Sequence, residues 1–353
     1  MDDSSYNQPA GAAPNIVIQQ KESLFGRFGK LLLIALGVCV LTIFGMSAAY
    51  KQYFGDGQGP SERYHSLSRE ATQKIAVVTV SGAIMESDDF VERQLDRVEE
   101  DDNVVAVVLR IDSPGGTVTY SHRLYHQAKE MLAERELPMV VSMGSLCASG
   151  GYYLAMAVGD QEDSIYAEPT TWTGSIGVVI PLYNFSRFMN MTGFEDRSLV
   201  SGDLKLMGSP TRRMGAEEEA VLQELVDQSF DRFRSIVEAG RPKLAGDDET
   251  LATATTGQIF TADQAKELGL VDRIGFVEAA IERAAELAGV STDDVRAVEY
   301  ERKMTPIEQF LAATAPAEPA QAAPRLEQLI ELATPRAYYL STLAPVLVGS
   351  AER

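Results

Sequence analysis

The chain has 353 residues, 45% of them hydrophobic, enough for one large or two ordinary domains with a true core. Its 51 acidic residues against 31 basic ones give a formal net charge of −20, which excludes nucleic-acid binding through a basic face. The only cysteines are Cys39, inside an apolar run, and Cys147, beside a Ser-Gly-Gly turn, so a structural disulfide is not expected.

In chain order, residues 1–22 carry Pro, Gly, Gln, Asn and Ser with few large apolar groups and read as disordered, within a cytoplasmic tail of residues 1–30. Leu31 to Tyr50 is a 20-residue run without a charge, long enough to cross a hydrocarbon core of about 30 Å. Lys21, Arg27 and Lys30 precede it. The positive-inside rule therefore predicts a single-pass anchor in the inner (cytoplasmic) membrane, with the rest of the chain extracytoplasmic. Ser47-Ala48-Ala49 resembles a cleavage site, so a cleaved signal peptide is the alternative; the long leader favours the anchor.

Residues 51–72 read as a linker, Gly- and Ser-bearing from Phe54 to Ser68, and residues 73–303 as the catalytic domain. Strands are expected at Lys74 to Val80, Val104 to Ile111 and Met139 to Met143, each followed by a helix: Phe90 to Glu99, Thr119 to Leu132 and Tyr152 to Val158. Ser164 to Ala167 and Ile176 to Leu182 add short strands. Helices follow at Glu217 to Ala239, Thr261 to Leu268 and Val277 to Ala288. The first carries an apolar stripe from Val221 to Val237 that suits core packing or a partner subunit. This β-turn-α repetition predicts an α/β fold. Residues 304–353 form an Ala/Pro-rich linker and tail. Its apolar end, Tyr338 to Val348, is expected to dock on the domain surface, with the active-site groove as the alternative.

Three stretches carry chemistry. Cys147-Ala148-Ser149-Gly150-Gly151 follows a β-rich run and precedes a helical one; a small residue and paired glycines there permit the tight turn that exposes a serine Oγ beside a free N–H. A serine needs a base, and His65, His122 and His126 all precede it. Lys205 in Ser201-Gly202-Asp203-Leu204-Lys205 is the best candidate, because its apolar neighbours Leu204, Leu206 and Met207 would disfavour its ammonium form. Asp112-Ser113-Pro114-Gly115-Gly116 ends a buried strand and leaves backbone N–H groups bare, as an oxyanion site requires; an ordinary βα turn is the plainer reading.

These stretches, the first running from Met143 to Tyr153, together with Thr173 to Val178, Gly257-Gln258-Ile259-Phe260-Thr261 and Ala265 to Asp272, occur in the order found in bacterial signal peptide peptidases of the SppA type, which the chain resembles. The resemblance covers roughly residues 73–290. It implies a Clp protease/crotonase-like spiral of ββα units and a serine endopeptidase with a Ser149–Lys205 dyad. It further implies oxyanion donors at the Gly116 and Gly150 N–H groups and a Ser175 that holds the lysine. The implied substrates are hydrophobic, chiefly remnant signal peptides, with neither cofactor nor metal. The implied assembly is a homo-oligomeric ring whose serine and lysine come from neighbouring protomers. An acidic insertion, Asp160 to Asp163, lengthens the loop before Ser175.

Other residues have plainer readings. His122 and His126 have a metal-compatible spacing without an evident third ligand. Asp112 suits a backbone cap over orienting a catalytic group, Trp172 and Tyr183 suit core positions over lining a substrate pocket, and Cys147, without a glycine pair directly after it, suits a small buried hydrophobe over a nucleophile. A crotonase-type acyl-CoA enzyme and an inert membrane scaffold are the alternatives to a protease. The extracytoplasmic location speaks against the first, and the joint presence of serine, lysine and both glycine turns against the second.

Overall fold

Strands that are apolar on both faces belong in the middle of a sheet covered on both sides. The computed structural model, which describes residues 29–40, 42, 45, 60–302 and 337–340, puts the Val- and Ile-rich runs there. The chain divides into two units, Met1–Gln58 and Gly59–Arg353. In the first, residues 29–40 are helical (α1), and no helix among the described residues is long and apolar enough to cross a membrane. Most of the second half of the expected anchor, the tail expected at 1–22 and the Ala/Pro segment from 304 to 336 lie outside the described residues.

The second unit opens with β1 (Ser61–Leu67), β2 (Gln73–Ser81), α2 (Phe90–Glu100), β3 (Val104–Ser113), β4 (Gly115–Thr117), α3 (Val118–Arg135) and β5 (Met139–Ala148). Next come α4 (Gly150–Ala155), β6 (Ile165–Ala167), β7 (Trp172–Gly174), α5 (Ser186–Thr192), α6 (Ala216–Gly240), α7 (Pro242–Ala245) and α8 (Asp248–Ala254). The rest are β8 (Ile259–Thr261), α9 (Ala262–Glu267), β9 (Arg273–Ile274), α10 (Val277–Leu287), β10 (Val295–Glu301) and β11 (Tyr338–Leu340). The main sheet runs β1-β10-β2-β3-β5-β6-β9, with β7 beside β5 and β8 beside β7. The pairs β1–β10 and β7–β8 are antiparallel; the others in this sheet are parallel. This is a mixed α/β architecture with a parallel-rich sheet, which fits the expected Clp protease/crotonase-like fold.

Period-two alternation divides the central strands between two cores. Ala76, Val78, Val107, Leu109 and Val141 face a layer that includes Leu95, Leu124 and Tyr152. Ile75, Val77, Ala106, Val108 and Val140 face Ala280, Ile281 and Ala284 of α10. α3 starts on Thr117, whose Oγ1 accepts the Tyr120 N–H, and stops at Glu136 in a left-handed conformation.

Two buried ion pairs tie the layers. Lys74 Nζ lies 2.6 Å from Asp101 Oδ2 and 2.8 Å from Glu62 Oε2. Burial alone would raise the Asp101 carboxyl, but the Lys74 ammonium and the Asn103 N–H bring it down to about 2. Arg241 meets Asp272 at 2.6 Å, and Asp272 Oδ2 also accepts the N–H groups of Ser164 and Ile165. Against the opposing cost of burial, these partners hold the Asp272 carboxyl below the usual carboxylate range.

Some expectations need correction. Ser61–Leu67, inside the expected linker, is an edge strand paired with β10 and held by charge: Arg63 reaches Glu299 and Glu301. Ile176 to Leu182 is not a strand; within it only Val179 makes a bridge, to Tyr338, and Pro181 interrupts the ladder. The stripe on α6 is divided, with Leu222, Phe233 and Val237 buried and Leu225 exposed. Trp172 and Tyr183 are exposed rather than core. Of the apolar tail Tyr338 to Val348, Tyr338–Leu340 forms β11 against β4 rather than docking on the outer surface, and residues 341–348 lie outside the described residues.

Candidate active site

β5 forks, and the fork aims the Ser149 turn. Val141 to Met143 pair with β6, whereas Leu146 to Ala148 pair with β7. At the split, Asp112 Oδ1 accepts the Leu146 N–H at 3.0 Å, so Asp112 serves as a backbone cap. Ser149 then takes φ 55° and ψ −115°, with its N–H bonded to Gly174 O at 2.8 Å and its carbonyl accepting the Tyr153 N–H that starts α4. A serine held at positive φ costs about 1–3 kcal/mol, which the surrounding hydrogen bonds must sustain. Ser149 is 1% exposed, and its Oγ is buried without a hydrogen-bond partner.

The second wall is β4. Ser113 stitches the turn before it, its hydroxyl donating to Gly82 O at 2.6 Å and accepting the Gly115 N–H at 3.1 Å. Thr117 N–H donates to Ile84 O, and Ile84 N–H donates to Gly115 O. Gly115 has φ 100°, whereas at Gly150 the limit is space. A Cβ on Gly150 would lie 2.4 Å from Ser121 Oγ and 3.0 Å from Gly116 N. A Cβ on Gly115 would lie 2.7 Å from Gly150 N. The glycines thus let the two backbone N–H groups converge beside the Ser149 turn. Gly150 is the first residue of α4, so its N–H has no intrahelical acceptor. Converging N–H groups beside a buried serine can hold a tetrahedral oxyanion.

Ser149, Gly116 and Gly150 are therefore brought together, and Lys205 is not. It lies exposed on the 3-10 turn Asp203–Leu206, and no hydrogen bond joins it to Ser149 among the described residues. The desolvation expected for it is absent within one protomer. Leu204 is exposed, and Leu206 and Met207 are only half-buried. Ser175 has φ 51° and donates its N–H to Gln258 O at 2.7 Å, but it makes no bond to Lys205 among the described residues. The acidic loop before it is anchored, with Asp163 paired to Arg273 at 2.6 Å.

Cys147 is fully buried, and burial pushes its thiol well above the ordinary range, so it is unsuited to form a thiolate. His122 Nδ1 lies 2.8 Å from the Tyr153 hydroxyl, and His126 pairs with Glu130. Among the described residues no group of three potential ligands is placed to hold a metal. One polar residue escaped the sequence reading. Ser121 on α3 has a buried, unpartnered Oγ against Gly150. Its signal was a hydroxyl in register with Leu124, Tyr125 and Ala128 on the buried face of α3.

Residues 131–291 match the family described as Peptidase family S49. A provisionally named protease of Synechocystis sp. is 38% identical over 223 residues, covering 63% of this chain and 77% of that protein. A protein of Enterococcus faecium provisionally named signal peptide peptidase SppA is 35% identical over 214 residues, 60% of this chain and 59% of its own length. The chloroplastic serine protease SPPA of Arabidopsis thaliana is 31% identical over 217 residues, 61% of this chain and 31% of the plant protein. On this sequence likeness the chain belongs to peptidase family S49 and is a serine-type peptidase.

Proposed function

We propose that the protein is a membrane-anchored endopeptidase that cleaves hydrophobic peptides, chiefly remnant signal peptides, with Ser149 as nucleophile and Lys205 as general base. The observation that carries this reading is the unpartnered Ser149 Oγ at a strained turn beside the N–H groups of Gly116 and Gly150. Ser149 Oγ attacks the peptide carbonyl, and both N–H groups hold the oxyanion. Lys205 takes the hydroxyl proton and delivers it to the leaving amine; water then attacks the acyl-enzyme, restoring the serine and releasing the acid. The name of the Enterococcus relative supports the substrate class.

Lys205 is supplied by a neighbouring copy in a ring. Its exposure, and the exposed apolar side chains of Tyr183, Phe188, Met191 and Phe194 in the segment that precedes it, support a site completed across a subunit boundary. Ser175 orients the lysine once it arrives. The uncharged run Leu31 to Tyr50 after three basic residues supports a single-pass anchor with the catalytic domain outside the cytoplasm. Such a tether keeps the site near membrane-embedded products.

A serine-reactive phosphonate should label the intact protein at Ser149, as read by peptide mass mapping, and abolish peptide cleavage. Labelling at another serine with the same loss of activity would sink the assignment. For topology, protease added to intact spheroplasts should cut after Tyr53 and spare the tail. A mature N-terminus near Tyr50 would instead identify a cleaved signal peptide.

A further inference from the structure

The edge of the main sheet away from the Ser149 turn carries two guanidinium groups without an acidic partner. In the sheet order, β2 and β3 separate β10 and β1 from β5. Tyr64 on β1 pairs with Val298, and Leu67 pairs with Arg296, while a bulge leaves His65 unpaired. Opposed residues share a face, so Tyr64 stands on the face of Val298 and Arg296, which are two apart on β10. The bulge bends the end of β1, where Leu67 takes φ 68°, a left-handed conformation that is strained for leucine. The Tyr64 hydroxyl closes this corner by donating to Leu67 O at 2.7 Å.

A cavity of about 220 Å³ opens at this corner, lined by Glu62, Tyr64, Arg69, Arg296 and Val298. It has room for several waters or a small polyatomic ion. The Arg69 guanidinium lies over the Tyr64 ring, 4.4 Å from its centroid. That ring is tied down through its hydroxyl, so it holds Arg69 in place. Arg296 Nε is buried without a hydrogen-bond partner. Buried donors in native proteins are nearly always paired, and an orphan marks a place where a water or an ion belongs. Glu62, the acid on the cavity wall, is engaged elsewhere: its two oxygens accept Lys74 Nζ at 2.9 and 2.8 Å. In a chain of formal net charge −20 acids are plentiful, yet none pairs with Arg69 or Arg296 among the described residues.

We propose that Arg69 and Arg296 form a binding site for a phosphate group, carried by a lipid headgroup or by a soluble phosphate ester. A guanidinium is a planar fork that matches the oxygens of carboxylates and phosphates. A carboxylate supplies oxygens for one fork, whereas two forks on one cavity call for the further oxygens of a phosphate. Its negative charge also offsets the repulsion between two cations lining the same cavity. Only residues 51–60 separate β1 from the uncharged run Leu31 to Tyr50, which is why a headgroup counts among the sources. The site shares no residue with the Ser149 turn, so it stands or falls apart from the peptidase reading.

The test titrates full-length protein, in an uncharged detergent at about 0.15 M salt, with glycerol phosphate and separately with dihexanoyl phosphatidylglycerol, read by calorimetry. Saturable binding of at least one probe is expected. Arg69→Ala, at an exposed position, and Arg296→Gln should each weaken it about tenfold or more, the worth of a charged hydrogen bond. If Arg296→Gln does not fold, Arg69→Ala alone decides. Arg63→Ala, on the same edge strand but paired with Glu299 and Glu301, should bind as the wild type does. The bound probe should raise the melting temperature of the wild type and leave that of Arg69→Ala unmoved. Tighter binding of the lipid than of the ester identifies a headgroup site, and equal or tighter binding of the ester identifies a site for soluble phosphates. Binding of neither probe, wild-type affinity in Arg69→Ala, or an equal loss in Arg63→Ala overturns the site.

Discussion

The turn around Ser149 and the segment 182–207 that carries Lys205 contrast at every level. Residues 147–157 are buried, with the Ser149 N–H and carbonyl both hydrogen-bonded between β5, β7 and α4. In 182–207 large apolar groups face solvent: Leu199 is 99% exposed, Phe194 72% and Met191 80%. α5, in that segment, buries none of its residues. A protomer can hold a strained serine because a sheet surrounds it. The lysine segment has no such support. Each exposed Phe or Leu would gain about 1.5–3 kcal/mol on full burial, which is the driving force that the proposed ring would draw on.

The largest effect expected is on catalysis. Ser149→Ala and Lys205→Ala should each lower kcat/KM by about 10³-fold or more without moving the thermal melt of the domain. If the lysine comes from a neighbour, co-refolding the two inactive variants should restore activity at roughly a quarter of the sites, since random assembly pairs a good serine with a good lysine that often. A mixture that assembles to normal size and stays inactive would place both groups in one protomer.

On the buried side of the comparison, Asp272→Ala should cost about 3 kcal/mol of stability, read by denaturant unfolding. It strands the buried Arg241 and removes the acceptor for two N–H groups of the β6 edge. A loss below about 1 kcal/mol would mean that this clamp does not secure the Ser149 side. A smaller effect follows from Asp101, whose folded carboxyl titrates at about 2 against an unfolded value of about 3.9. A depressed carboxyl stabilises the fold above the unfolded value and loses that contribution as pH falls from about 4 towards 2. With solvent reaching the sheet edge, the contribution is about 1–2 kcal/mol. Asp101→Asn should flatten the acid limb of stability over that window, and an unchanged limb would contradict the assignment.

The buried region is also the one that was legible in the sequence. Val104 to Ile111 and Met139 to Val141 are apolar on both faces, which has one stable solution, and glycines mark the turns in a few contiguous residues. Edge structure was not legible in the same way. Ser61–Leu67 is mostly polar because it is stabilised by cross-strand charges rather than burial, so it read as linker. Lys205 was expected to be desolvated by Leu204, Leu206 and Met207, but neighbours in sequence do not shield a side chain on a single exposed turn. Ile176 to Leu182 has strand composition, yet its partner, Tyr338, lies more than 150 residues away in sequence, and a local pattern carries no record of it. Ser121 was hidden because a hydroxyl within an apolar helix face usually bonds the preceding turn, whereas here it faces Gly150 without a partner.

The smallest expected effect on the protomer tests the exposed side. Phe194→Ser and Leu199→Ser remove apolar surface from the lysine segment where the protomer buries neither residue. Substitutions at such positions usually change stability by less than about 0.5 kcal/mol, so the melt of a dilute protomer should not move. Assembly should respond differently, because a transferred Phe or Leu would lose about 2 kcal/mol of burial at each subunit contact. Sedimentation velocity across a concentration series should therefore show the assembly dissociating at higher concentration than the wild type. Activity should fall in parallel and recover as protein concentration rises. A drop in activity that is independent of concentration would instead place Phe194 and Leu199 against substrate. An unchanged assembly with unchanged activity would mean that this apolar segment meets neither a second copy nor a peptide.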